Sequence, residues 1–64
     1  MIFNLIKNTL LKLLEIKQNL REIRSEYLFR HKDDINVSNR LFRLINLIEI
    51  IESDLKDLGN IIKK

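Results

Sequence analysis

His31 and Asp33 form the one ligand-like pair in this sequence, which holds a single histidine and no cysteine. Imidazole and carboxylate are both metal ligands, but a transition-metal site needs three or four of them, and no thiolate is available. A His-x-Asp pair at a helix end reads instead as a surface pair that neutralises the helix dipole. Three carboxylate pairs stand at helical spacing: Glu22/Glu26, Glu49/Glu52 and Asp54/Asp57. A di-metal bundle site would require Glu-x-x-His turned inward, and these acids fall outside the apolar columns, so they read as solvated faces. There is no glycine-rich phosphate loop and no Ser or Cys with a plausible base. The expectation is a non-enzyme with no metal and no cofactor.

The basic residues offer a second chemistry. Residues 17–43 carry seven bases against four acids, and residues 49–58 carry four acids against one base. Lys17, Arg21, Arg24, Arg30, Arg40 and Arg43 are the candidates for contact with nucleic-acid phosphates. Glu22, Glu26, Asp33 and Asp34 are interleaved with them, and the net charge is only +3. An ordinary solvated helix surface is the preferred reading.

These residues are carried by a strong helical pattern. Ile2, Ile6, Leu13, Ile16, Leu20, Ile23 and Tyr27 hold a/d heptad spacing, with Thr9 the polar exception. The pattern resumes at Val37, Leu41, Leu44, Ile48, Ile51, Leu55, Leu58 and Ile62, so 15 of 16 such positions are apolar. That period, with no proline and one glycine, predicts an all-α fold: a two-helix antiparallel hairpin. A single domain over residues 1–64 is expected, with a helix over about 3–32, a turn over about 33–38 and a helix over about 38–62. Ser38 is the preferred N-cap, with Asp34 or Asn36 as alternatives. Pairing the two a/d seams places the turn at Ile35–Asn36, sets Lys17 across from Glu52 and leaves Met1–Lys7 overhanging. A slip of one heptad instead favours the pairs Glu26–Arg40 and Lys12–Asp54 but shortens the turn. Gly59 either caps the second helix or lies within it, since Ile62 keeps the heptad in phase.

A chain of this length buries only about 60% of its unfolded surface, so a lone core is marginal. Disulfides and metals being excluded, association is the remaining source of stability. The apolar residues outside the seam supply the surface for it: Leu5, Leu10, Leu14, Phe42, Ile45, Leu47 and Ile50 are the expected interface. Three functions follow. The leading one is a small protein–protein interaction module, either a homodimeric four-helix bundle or a subunit docked on a larger helical partner. The second is a nucleic-acid-binding hairpin using the basic turn end. The third, least favoured, is a membrane-surface helix over residues 1–14. Charged residues interrupt both apolar regions, which argues against a transmembrane span, and the start lacks a basic n-region; a cytoplasmic location is expected.

In shape the pattern resembles several families of small helical hairpins. One is the plasmid RNA-binding Rop family, which dimerises into a four-helix bundle. Another is the small hairpin protein of the large ribosomal subunit, whose Leu-x-x-Leu-Arg is similar to Leu20-Arg21-Glu22-Ile23-Arg24. The type III secretion needle co-chaperones share the shape too. In place of the ribosomal family's arginine-rich surface this chain has Ile45, Leu47, Glu49 and Ile50.

Overall fold

The computed structural model describes residues 1–63 and contains two helices, α1 (Ile2–Arg30) and α2 (Ile35–Lys63), packed as an antiparallel hairpin. Each helix is 29 residues long, so the arms are of equal length and their free ends lie flush. The radius of gyration is 14.9 Å, against about 10.7 Å for a compact chain of this length, so the molecule is a two-helix rod rather than a globule.

The turn falls earlier than Ser38 would place it. α1 stops at Arg30 because His31 leaves helical geometry (φ −132°, ψ 62°), while its N–H still donates to the Tyr27 carbonyl at 2.9 Å. The capping of α2 belongs to Asp34. Its Oδ1 accepts the Val37 N–H at 3.2 Å, and its carbonyl accepts the Ser38 N–H, opening the helical ladder. Asp34 gains over Ser38 because its second oxygen is also used: Tyr27 Oη donates to Oδ2 at 2.7 Å. One carboxylate thus ties the end of α1 to the start of α2. The Tyr27 ring in turn stacks on His31, with centroids 4.5 Å apart.

The same link makes the turn sensitive to pH. The Tyr27 hydrogen bond, then the Val37 N–H, hold the Asp34 carboxyl below its ordinary value of 3.8. The bond to Asp34 pushes the Tyr27 phenol above its ordinary 10.0. A lowered folded pKa stabilises above the unfolded value and stops doing so as pH falls through the folded one. A raised phenol does the reverse, stabilising below about pH 10 and losing its contribution above it. Replacing Asp34 with Ala is expected to lower the thermal midpoint at neutral pH by about 4–8 °C, the scale of one lost cap in a small domain. The gap between wild type and variant should close as the pH is taken well below 3.8 in a circular-dichroism melt. A gap that stays constant down to pH 2 removes the carboxylate from the account.

Gly59 lies inside α2, which continues to Lys63, and none of the described residues has positive φ. A methyl group there would meet Ile6 Cδ1 at 3.9 Å, an ordinary contact. Gly59→Ala is therefore expected to stabilise the hairpin by about 0.5–1 kcal/mol through helix propensity, read as a higher urea midpoint. A lower midpoint would mean that the glycine terminates the helix.

Ile6 beside Gly59 also fixes the register: residues whose numbers sum to about 65 lie level across the hairpin. This is close to the slipped alternative, not to the pairing with a turn at Ile35–Asn36. Met1–Lys7 therefore lies alongside the end of α2 instead of overhanging it.

The inward face is the main departure from the heptad expectation. In α1 the buried and half-buried positions are Ile6, Leu10, Leu13, Lys17, Leu20, Arg24, Tyr27 and Leu28. In α2 they are Val37, Ser38, Leu41, Ile45, Ile48, Glu52, Leu55 and Gly59. The columns 6/13/20/27 and 41/48/55 point inward as expected. Their companions are 10/17/24 and 38/45/52/59, not 9/16/23 and 44/51/58; of the displaced columns only Val37, beside the turn, stays half-buried. At 100° per residue, each helix is rotated by roughly 50° from the a/d seam.

Candidate interaction surface

The rotation decides which side chains are left for a partner. Leu41 and Ile45, at 8% and 7% exposure, are the only buried apolar residues among those described. Lys17 is as buried, at 8%, and its Nζ meets Glu52 Oε1 at 2.7 Å. Glu52 is therefore not on a solvated face. It sits between the helices with its lysine, the one ion pair among the described residues.

The displaced columns come out together. The rotation has the same sense in both helices, and the helices are antiparallel, so the two columns emerge on one side of the hairpin. They are Ile2, Thr9, Ile16 and Ile23 from α1, and Leu44, Ile51 and Leu58 from α2. The six apolar members are between 45% and 53% exposed. Between them run the half-buried columns Ile6, Leu13, Leu20 and Ile48, Leu55. The result is a broad apolar face along both helices. Thr9 does not interrupt it, because its hydroxyl donates to the Leu5 carbonyl at 2.7 Å and needs no other partner.

The opposite side is different in kind. A groove there is lined by Phe3, Leu10 and Leu14 but rimmed by Lys7, Glu49 and Lys56, and Lys17 and Glu52 form its floor. It is mixed and charged. On the apolar face charged residues stand only at the outer edges and at the turn end.

The seven residues expected to form the interface do not share a surface. Ile45 belongs to the hairpin's own core, and Leu10 is half-buried on the inward face of α1. Leu14 and Phe42 are exposed on the mixed side, and Ile50 is exposed on the back of α2. Leu5 and Leu47 border the apolar face, both exposed. Ile16, Ile23, Leu44, Ile51 and Leu58, which the heptad spacing places in the intramolecular seam, are the ones left open. A heptad seam cannot by itself distinguish packing on one neighbour from packing on two, because either way the same positions are apolar.

The six basic candidates are dispersed as well. Lys17 is committed to Glu52. Arg24 is half-buried, with an Nε that is buried and has no hydrogen-bond partner. Arg21, Arg30, Arg40 and Arg43 are exposed; Arg30 continues the Ile2–Ile23 column and Arg40 lies at the edge of the same face, whereas Arg21 falls on the mixed side and Arg43 on the back of α2. Phe29 stands 79% exposed near the turn, lining an open groove with Glu26, Arg30 and His31.

Among the described residues no cluster of three potential metal ligands occurs, and no helix is long and apolar enough to cross a membrane. No protein family matches the chain, and comparison with curated proteins and with solved structures finds no similar protein.

Proposed function

We propose that the chain is a non-enzymatic protein–protein interaction module whose working part is the apolar face of Ile2, Ile16, Ile23, Leu44, Ile51 and Leu58. The observation that carries the reading is the contrast between two buried apolar residues and a continuous half-exposed apolar face. Exposed apolar patches of more than a few hundred Å² are rare on monomers and mark association surfaces. A hairpin of this size, with so small a core, also gains stability from association.

The nucleic-acid reading has less support, since Lys17 is paired internally and only two of the four exposed arginines share a side of the rod.

Sedimentation and 8-anilinonaphthalene-1-sulfonate fluorescence test the proposal without knowledge of the partner. The purified chain is expected either to associate, hiding the face, or to remain monomeric and bind the dye through it. Ile16→Lys with Ile51→Lys should lose whichever behaviour the wild type shows. A monomer that does not bind the dye would defeat the reading.

A further inference from the structure

We infer that the apolar face is covered by a second copy of this chain, packed face to face with both turns at the same end to form a four-helix bundle. This rests on the interaction reading above and commits it to one occupant and one geometry.

The first support is area. The hairpin exposes 5613 Å², whereas a compact folded chain of 7.7 kDa exposes about 4,300 Å². The excess is about 1,300 Å² per chain, or about 2,600 Å² for two, within the range of obligate homodimers. One flat face on two helices of equal length suits another of the same dimensions. Stacked on its copy, each helix gains a second neighbour, and the a/d columns that lie oblique to the hairpin seam point to the centre of the bundle. The rotation of about 50° away from a simple two-helix seam is what such a bundle requires.

The second support is charge. At 100° per residue, the outer edge of the face on α1 carries Leu5, Lys12, Asn19 and Glu26, and the edge on α2 carries Arg40, Leu47, Asp54 and Ile61. Lys12, Glu26, Arg40 and Asp54 are exposed and make no ion pair among the described residues. Rotation about an axis parallel to the helices lays α1 of one copy over α2 of the other with no axial shift. The register within the hairpin therefore carries over unchanged, and residues whose numbers sum to about 65 again lie level. Lys12 then meets Asp54 of the second copy, Glu26 meets Arg40, and Leu5 meets Ile61. No sliding is needed.

With the turns at opposite ends, each helix lies over its own copy. Flush alignment then leaves these charges unmatched. Bringing Lys12 to Glu26 and Arg40 to Asp54 of the second copy requires a slide of about 6–9 Å, which strands the apolar free ends. The arrangement with turns together matches both the charges and the ends. Such edge pairs add little affinity but select the orientation.

A charge-exchange series distinguishes the arrangements, because the edge residues are exposed and their replacement leaves the hairpin core intact. The wild type is expected to sediment as a dimer of the 7.7 kDa chain at roughly 100 μM. Lys12→Glu with Glu26→Lys should weaken the dimer at least about tenfold, and adding Arg40→Glu with Asp54→Lys should restore it. With turns opposed, the first exchange is silent, since both charges of each pair sit on α1. The chain has no cysteine, so a Lys32→Cys variant gives an independent reading. Turn-to-turn disulfide dimers should form on mild oxidation, whereas opposed turns would lie nearly the full 49 Å length apart. A dimer indifferent to the exchange, or one that does not cross-link at the turn, overturns the geometry and leaves the interaction reading standing. A monomer that binds the dye overturns the second copy as occupant; a monomer that does not bind it removes both.

Discussion

Ile45→Ala is expected to cost about 2–4 kcal/mol, whereas Leu47→Ala, two positions on, should move stability by less than about 1 kcal/mol. The sequence treats the two alike, as apolar residues outside the a/d seam. The structure separates them: Ile45 is 7% exposed between the helices and Leu47 is 47% exposed at the edge of the apolar face. Truncating an enclosed isoleucine loses the transfer energy of three carbons and leaves a cavity, which a rod with only Leu41 beside it as buried apolar support can close only by shifting the helices. A core of this size supplies on the order of 3–5 kcal/mol in all, so Ile45→Ala should leave a substantial unfolded fraction at 25 °C. Urea titrations followed by circular dichroism would show this, run at one protein concentration because association adds to apparent stability. Equal losses at the two positions would mean that the helices are not rotated as described.

The contrast shows how much of this fold lies in the pattern of residues and where that pattern stops. The heptad from Ile2 to Ile62 is sufficient for two helices, and the interruption between Phe29 and Ser38 is sufficient for a hairpin. The phase of each helix about its own axis is not so determined. Columns 6/13/20/27 and 41/48/55 face inward under either rotation. Whether column 9/16/23 or column 10/17/24 joins them depends on comparing an apolar column with one containing Lys17 and Arg24. Hydrophobicity alone selects the first. The second is observed because Lys17 and Glu52 satisfy each other across the seam, leaving the columns that are apolar but for Thr9 to line the open face. A signal for this was present in the opposition of Lys17 and Glu52, which a charge argument limited to exposed pairs discounts. The turn has a similar explanation. Ser38 and Asp34 are comparable caps locally, and the choice is made by Tyr27, whose hydroxyl reaches the second carboxylate oxygen from the other helix.

If Lys17 and Glu52 set the phase, removing one or both should have opposite consequences for stability and for uniqueness. Glu52→Ala alone leaves the ammonium of Lys17 between the helices without its carboxylate. A fully enclosed pair broken in this way costs about 3–5 kcal/mol, and with side-chain exposures of 11% and 15% the expected loss is nearer about 2 kcal/mol, since water reaches the site. Lys17→Met combined with Glu52→Leu should instead leave stability within about 1 kcal/mol of wild type or above it, because apolar packing avoids the desolvation of two charges. The double variant loses discrimination, however. With columns 10/17/24 and 45/52/59 made apolar at their centres, both helix faces compete for the interior, and the open face is no longer defined by default. Its helicity should persist while its amide NMR spectrum broadens or doubles and its sedimentation becomes heterogeneous. A single sharp state with the wild-type association would show that Ile45 and Leu41 fix the rotation unaided. A loss below about 0.5 kcal/mol for Glu52→Ala would show that the pair is no more than a surface contact. Under the expected result, the ion pair keeps the apolar columns of Ile16 and Ile51 turned outward, and the association surface exists because a charged pair occupies the place inside that those columns would otherwise take.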